Sequence, residues 1–269
     1  NRLCAALAKA ISKMMTAGVG KDKAVEFIAI GNDENILLTS TARKNIFLNR
    51  DLTTIYKSIA DALQDAKFIF IVAGLGSNAA RAAIPIILSC AKNLDAMTVA
   101  FVCRPFILEN PERKRNAEYT LKNLRGKVGT LFSVPAEKFF MFRLNQPQIS
   151  LHELFDVADD IFCQGVKILL DLNDFKFGNA AFGYGEAITA LDAIKLAVKF
   201  PTLEEYELKA AQKVFVSFTS YTPLSLSAID AANKFVKAQL QPDAEFFSKN
   251  KINPSIGEKV FASIICSRK

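Results

Sequence analysis

The first segment whose residue types could do chemistry is a glycine turn, Ala73-Gly74-Leu75-Gly76-Ser77-Asn78, directly after the apolar run Phe68–Val72. A helical pattern that contains Pro85 follows it. Such a strand–turn–helix unit directs backbone N–H groups and the positive end of the helix at one point, where an anion is favoured. A bare GxG also forms tight structural turns, so phosphate binding and a structural turn are equally good interpretations. The fingerprint of a dinucleotide fold would need a third glycine at Ala79.

A second candidate is the pair Glu109 and Arg113, which follows the predicted strand Thr98–Cys103. In open α/β sheets, residues beyond the carboxyl ends of strands form the ligand crevice, so this pair is expected to face the same crevice as the glycine turn. A carboxylate accepts hydrogen bonds from ribose hydroxyls, and a guanidinium binds phosphate oxygens. A charge pair at the start of a helix is the equally good structural alternative.

A third candidate is Phe155 with Asp159, four residues apart and therefore on one face of a helix. An aromatic ring and a carboxylate one turn later suit a purine. The acid would accept hydrogen bonds from N1 and N2 of guanine, which adenine does not offer. On an isolated helix the alternative, a core phenylalanine beside an exposed acid, is favoured.

The elements that must position these residues alternate between short apolar runs and helical patterns in the first two-thirds of the chain. This alternation predicts a Rossmann-like parallel sheet covered by helices, with Phe68–Val72 as a central strand buried on both faces. The periodicity of Ser150–Leu172 predicts one long central helix. A glycine-rich segment Gly178–Gly185, a helix Glu186–Lys199 and strands around the helix Ser225–Leu240 predict a smaller α+β domain after it.

Composition excludes several kinds of chemistry. His152 is the only histidine, which removes serine-triad and two-histidine metal sites, and no protein-held metal site is predicted. The five scattered cysteines predict reduced thiols. The net charge is +7, but the basic residues are interleaved with acidic ones, so no nucleic-acid partner is predicted. No apolar run is long enough to span a membrane, and residues 1–13 lack the features of a signal peptide, so the expected location is cytoplasmic.

Six ordered segments resemble the family of the bacterial cell-division GTPase FtsZ, within the FtsZ/tubulin superfamily. AGLGSNAARAAIP at Ala73–Pro85 is similar to AGMGGGTGTGAAP of that family, and RPFILENPERKRNAE at Arg104–Glu118 to KPFxFEGxxRxxxAE. Leu154–Leu169 resembles AFxxANDVLxQGVxGI, and Val25–Leu38 resembles VEFIAINTDAQALL. In the second domain, GNAAFGYGEA at Gly178–Ala187 and the strand Val214–Thr219 resemble MGxALMGxGxA and VLVNIT.

The resemblance implies a GTPase that binds GTP or GDP, and it leaves Mg²⁺ open as an accompanying ion. It places Phe155 and Asp159 at the guanine base and Asp33 near the phosphates, and it retains Glu109 and Arg113 at the family's spacing. The phosphate turn would comprise Gly74, Gly76, Ser77, Asn78, Ala79 and Ala80. Asp174 is the best match for the acid of the family's catalytic loop, which orients the attacking water in the next subunit's site.

Three departures from the family bear on activity. The family's GGxGxN phosphate loop and the glycine-rich loop over the γ-phosphate have no counterpart in these 269 residues. The GGGTGTG segment is Gly76-Ser77-Asn78-Ala79-Ala80-Arg81-Ala82 here, and added Cβ atoms hinder close approach of phosphate. Arg81 either compensates for the replaced glycines with its positive charge or points to solvent. Either the missing segments lie outside these residues, or hydrolysis has been lost.

The sequence therefore predicts an α/β protein with a nucleotide-binding domain over residues 1–158, a connecting helix over 159–172 and an α+β domain over 173–269. The expected function is GTP-dependent, head-to-tail self-assembly into filaments, with hydrolysis completed between subunits and a membrane adaptor not identified. The alternative is a hydrolysis-deficient scaffold that co-assembles with an active FtsZ relative. An NAD-type dehydrogenase explains the sheet but not the long helix or the second domain.

Overall fold

The structure is a computed structural model, and it describes residues 26–48, 51–138, 176–200, 203, 208–254 and 256–268. The chain forms two compact units, Asn1–Leu170 and Asp171–Lys269. The predicted helix Ser150–Leu172 and the candidates Phe155, Asp159 and Asp174 lie outside the described residues. The domain boundaries at 158 and 172 therefore stay predictions.

The first unit alternates strands and helices, as the sequence predicts. β1 pairs with β2 in parallel, and β3, β4 and β5 form a second parallel sheet in that order. The short β2 was not predicted, because its single buried residue, Ile46, gives no periodic pattern. The elements are β1 (Ile28–Gly31), α1 (Glu34–Leu38), β2 (Lys44–Phe47), α2 (Leu52–Ala62), β3 (Phe68–Gly74), α3 (Asn78–Asn93), β4 (Met97–Arg104), α4 (Pro111–Leu124) and β5 (Thr130–Pro135).

The strand buried on both faces is β4, not β3 as predicted. Phe68 of β3 is 41% exposed, and its fully buried residues alternate at Ile69 and Ile71. In β4, by contrast, Thr98–Cys103 are buried without interruption. Among the described strands, β3 pairs only with β4, whereas β4 has a partner on each side. An apolar run therefore identified a strand but not its place in the sheet.

Capping residues fix where the helices of this unit begin and end. The side chains of Asp51, Ser77 and Asn110 accept hydrogen bonds from backbone N–H groups in the first turns of α2, α3 and α4. α4 has proline at its first position and Lys122 in its last turn, as predicted. α2 ends at Ala62, short of the predicted Ala66. Asp65 adopts a positive φ of 62°, which a right-handed helix excludes.

The second unit contains a mixed four-stranded sheet. In the order β6-β9-β7-β8, the first two pairings are antiparallel and the pairing of β7 with β8 is parallel. Ala193, Val216, Ala232 and Ile264 are fully buried in the core between this sheet and its two helices. The elements are β6 (Gly178–Ala187), α5 (Ala190–Val198), a 3-10 turn (Leu208–Ala210), β7 (Lys213–Ser220), α6 (Leu226–Lys237), β8 (Glu245–Ile252) and β9 (Val260–Arg268).

The glycine-rich segment of this unit is a strand, and the helix that follows begins later than predicted. The prediction started the helix at Glu186, but β6 continues to Ala187 and α5 begins at Ala190. A Cβ at Gly183 would lie 1.9 Å from the carbonyl oxygen of Ala197, and one at Gly185 would lie 2.1 Å from that of Ala193. The glycines therefore let α5 pack directly on the β6 backbone.

Within the described residues, no helix combines the length and hydrophobicity that crossing a membrane requires.

Candidate functional site

The glycine turn lies at the carboxyl ends of β3 and β4. β3 ends at Gly74, which pairs with Cys103 on β4. The N–H of Leu75 continues this pairing by donating to the carbonyl oxygen of Cys103, at 2.8 Å. The loop of residues 105–110 leaves β4 at the same edge and leads into α4. The expectation that both segments face one edge of the sheet follows directly from this register.

Gly76 fits only because it has no side chain. Its φ is +92°, a conformation that L residues rarely adopt, and an added Cβ would lie 2.7 Å from the carbonyl oxygen of Arg113. The turn is thus packed against the first turn of α4. This contact brings the glycine turn and the Glu109–Arg113 pair together, and it also covers one side of Gly76 with protein backbone.

Ser77 caps α3 with its own side chain. Its backbone is extended, with φ −80° and ψ 149°, and its Oγ accepts a hydrogen bond from the N–H of Ala80 at 3.1 Å. Asn78, the first helical residue, is exposed, whereas Ala79 and Ala80 are buried. One of the N–H groups that a phosphate would use at this helix end is therefore already bonded within the chain.

Glu109 and Arg113 form an ion pair one helical turn apart. Arg113 Nε lies 2.8 Å from Glu109 Oε2, although among the described residues Nε has no partner at hydrogen-bonding angles. Glu109 Oε1 accepts a hydrogen bond from the N–H of Phe106 at 3.0 Å. The charge pair offered as the structural alternative is therefore present. Each carboxylate oxygen has further acceptor capacity, so the pair is compatible with a ribose hydroxyl.

Glu137 is a residue of this edge that the sequence interpretation missed. It lies just beyond β5, and its carboxylate accepts a hydrogen bond from the N–H of Ile107. Burial raises the pKa of the Cys103 thiol far above its ordinary value, and the negative charges of Glu109 and Glu137 raise this pKa further. The sequence did contain a signal for this residue, since it is an acid just after a third predicted strand. The carboxyl ends of parallel strands lie at the same edge of a sheet, so such an acid is expected at this edge.

Arg81 is exposed, and its side chain contacts α4. Its Nη1 donates to Asn116 Oδ1 at 3.1 Å, and its guanidinium carbon lies 5.2 Å from the centre of the Tyr119 ring. Asn116 Nδ2 in turn donates to Asn78 Oδ1 at 3.5 Å. Neither interpretation of Arg81, compensation by its charge or exposure to solvent, included this contact between α3 and α4.

Asp33 follows β1, which pairs with β2 in a two-stranded sheet of the same unit. Its carbonyl oxygen accepts a hydrogen bond from the N–H of Leu37 in α1 at 3.1 Å. The structure thus brings Gly74 to Ala80 together with Glu109 and Arg113, and it leaves Asp33 at the end of the β1–β2 pair. In the part of the chain that the structure describes, no cluster of three or more His, Cys, Asp or Glu residues could hold a metal ion.

The chemistry of Glu109 and Arg113 suits a ribose phosphate better than the turn after β3 does. Glu109 and Arg113 offer an acceptor and a cation at the sheet edge, as a ribose phosphate requires. The turn after β3 fits less well, because Ser77 and the Arg113 carbonyl already occupy part of the space and bonding capacity that a glycine loop leaves to phosphate.

Comparison with known proteins gives the class to which this fold and site belong. Residues 9–142 match the Tubulin/FtsZ family, GTPase domain, and residues 178–268 match the FtsZ family, C-terminal domain. The two matches lie in order and together cover most of the chain. The chain belongs to the FtsZ/tubulin superfamily.

Individual relatives agree with this assignment. The chain is 28% identical to "Cell division protein FtsZ 1" of Thermococcus kodakarensis, over 93% of this chain and 74% of the relative. It is 27% identical to "Cell division protein FtsZ" of Caulobacter vibrioides, over 96% of this chain but only 57% of that relative's length.

Solved structures show the same fold. An empty FtsZ dimer of M. jannaschii has a TM-score of 0.83 at 24% identity, covering 97% of this chain and 84% of that one. CetZ2 of Haloferax volcanii, solved as a GTPγS-bound protofilament, has a TM-score of 0.81 at 15% identity, covering 98% and 90%. The predicted fold class is confirmed.

Proposed function

We propose that this protein binds GTP or GDP and assembles head-to-tail with further copies of itself into filaments, in a cytoplasmic cell-division role. The observation that carries the proposal is the meeting of two segments at one sheet edge. The turn after β3 packs on the first turn of α4, directly beside the Glu109–Arg113 pair. The match to a GTPase domain at these residues supports a nucleotide as the ligand.

In this proposal, Glu109 accepts from the ribose and Arg113 neutralises phosphate charge. Phe155 stacks on the base, Asp159 accepts from N1 and N2 of guanine, and Asp33 lies near the phosphates. Asp174 of one subunit orients water in the site of the next, so the hydrolytic site is complete only between subunits. Mg²⁺ would accompany the phosphates. Such a contact joins different faces of two copies and therefore gives open filaments.

A second candidate function is a scaffold that binds nucleotide without turning it over and co-assembles with an active FtsZ relative. The observation that favours it is the bond from the Ala80 N–H to Ser77 Oγ, because it removes a donor from the phosphate side of the turn. The close packing of Gly76 on the Arg113 carbonyl acts in the same direction.

Nucleotide preference tests the proposed base pocket. We expect the purified protein to bind GTP more tightly than ATP in calorimetric titrations. Phe155→Ala and Asp159→Ala should each weaken GTP binding by about tenfold, since a stacked ring or a paired carboxylate contributes roughly 1–3 kcal/mol. Asp160→Ala is the matched control, because the neighbouring acid lies on another face of the predicted helix. Equal affinity of the wild type for GTP and ATP would contradict the pocket.

Phosphate release separates the two functions. In the filament GTPase, the rate should rise more steeply than linearly with protein concentration, and Asp174→Asn should abolish release while leaving GTP binding intact. Tight GTP binding with sedimentable polymer and no release would instead support the scaffold. Release that is strictly linear in protein concentration would show that the site is complete in one subunit.

A further inference from the structure

At the start of α3, a side chain of the protein already accepts a hydrogen bond that an anion would otherwise accept. An α-helix leaves its first N–H groups without helical acceptors, and a bound anion or a capping side chain can satisfy them. In α3 the capping side chain is present, since Ser77 Oγ accepts from the Ala80 N–H at 3.1 Å. A phosphate oxygen and this hydroxyl would compete for the same donor.

On its other side, the glycine turn packs against the backbone of α4. A Cβ added to Gly76 would lie only 2.7 Å from the carbonyl oxygen of Arg113. This oxygen carries partial negative charge, which disfavours an anion on that side of the turn. Gly76 is thus used for packing between the turn and α4, and the space beside its Cα is filled.

Arg81, a cation near the start of α3, contacts residues of α4. Arg81 lies one turn into the helix, where its charge could attract phosphate. Its guanidinium instead bonds to Asn116 and lies against the Tyr119 ring, farther along α4 from Arg113. The bond between Asn116 and Asn78 keeps the first residue of α3 in this network.

From these three contacts we infer that Ser77 is an internal competitor for phosphate, so that its hydroxyl limits the affinity of this chain for nucleotide phosphates. The inference rests on the proposed nucleotide-binding function and adds a residue that sets its strength. Ser77 holds the helix cap in the absence of ligand, and nucleotide must displace it before phosphate reaches the Ala80 N–H. Nucleosides, which lack phosphate, would not be affected.

Substitutions at Ser77 test this inference in the full chain. Ser77→Gly removes the hydroxyl while keeping a residue that helix N-caps tolerate almost as well as serine, and Ser77→Ala removes it with a larger loss of capping. Ser77→Thr keeps a hydroxyl and the cap. The matched control is Ser225→Gly, because Ser225 caps α6 with the same bond, from the Ala228 N–H to its Oγ at 3.2 Å, in the other unit.

The readout is the dissociation constant of GDP compared with that of guanosine, with folding checked by circular dichroism. We expect Ser77→Gly and Ser77→Ala to tighten GDP binding by about tenfold, the typical effect of a hydrogen bond to a charged group. Guanosine binding should not change. Ser77→Thr restores the hydroxyl and should therefore lose the tightening, and Ser225→Gly should behave like the wild type.

Unchanged or weaker GDP binding in Ser77→Gly, with guanosine binding intact, would overturn the inference and leave the proposed function standing. Equal tightening of guanosine and GDP would also overturn it, because the effect would not act through phosphate. If neither the wild type nor any variant binds GDP or guanosine, the inference and the proposed function both fail.

Discussion

Single residues at the sheet edge have roles that their types alone do not reveal. Gly76 has the residue type of a phosphate turn, yet its positive φ and its contact with the Arg113 carbonyl make it a packing residue. Arg81 has the charge of a phosphate ligand, yet it bonds to Asn116. Both roles are set by α4, more than thirty residues later in the chain.

Replacing Gly76 measures this packing. Gly76→Ala should destabilise the fold by about 2–4 kcal/mol, of which roughly 1–2 kcal/mol is the cost of the positive φ and the rest is steric overlap with α4. Gly126→Ala is the matched control, because Gly126 also has a positive φ, +72°, but nothing lies within 4 Å of its added Cβ. Urea unfolding measures both free energies. Equal losses in the two variants would show that α4 moves aside easily.

At the scale of elements, the loop between β4 and α4 is held by two carboxylates. Glu109 accepts from the Phe106 N–H, and Glu137 accepts from the Ile107 N–H. These bonds satisfy backbone donors that no strand or helix pairs. The loop therefore presents Leu108, which is 94% exposed, from a fixed backbone.

Removing one carboxylate should loosen this loop without unfolding the unit. In Glu109→Ala, amide hydrogen exchange at Phe106 is expected to accelerate about fivefold, since a hydrogen bond contributes roughly 1 kcal/mol. Glu112→Ala is the control, because Glu112 is an exposed acid in the first turn of α4 that does not contact the loop backbone in any described bond. Exchange at Phe106 that stays slow in Glu109→Ala would show that Glu137 holds the loop by itself.

At the scale of the whole molecule, exposed apolar side chains occur at strand ends in both units. Ile107 and Leu108 project from the first unit, and the second exposes Leu226, 85% accessible, beside Tyr221 and Ile252. The latter group lies at the carboxyl ends of β7 and β8, where Ser220 pairs with Ile252. We propose these two exposed apolar groups as parts of the contact between copies in the proposed assembly.

Charge placed on either surface should weaken assembly. Leu108→Glu and Leu226→Glu are each expected to raise the protein concentration needed for polymer by about tenfold, because burying a leucine contributes roughly 1.5–3 kcal/mol. Sedimentation at increasing protein concentration measures this threshold. Leu196→Glu is the control and should assemble normally, because Leu196 is a half-exposed leucine of α5 that belongs to neither group. Wild-type assembly by both strand-end variants would place the contact elsewhere.

The sequence by itself determined most of the alternation of strands and helices, and the superfamily. Strand and helix patterns and the first-turn proline of α4 depend on residues within one or two turns of each other, so they can be read from the chain. The motif order across two domains resembled FtsZ for the same reason.

Only the tertiary structure decided which strand is buried on both faces, why Gly183 and Gly185 lie inside a strand, and where Arg81 points. Each depends on an element that is distant in sequence or on a neighbouring strand, and no local pattern records such a contact. The base-binding pair Phe155 and Asp159 and the acid Asp174 stay predictions. The glycine turn differs from a simple glycine loop in two ways. The backbone of α4 occupies the space beside Gly76, and the Ser77 hydroxyl accepts a hydrogen bond from the Ala80 N–H.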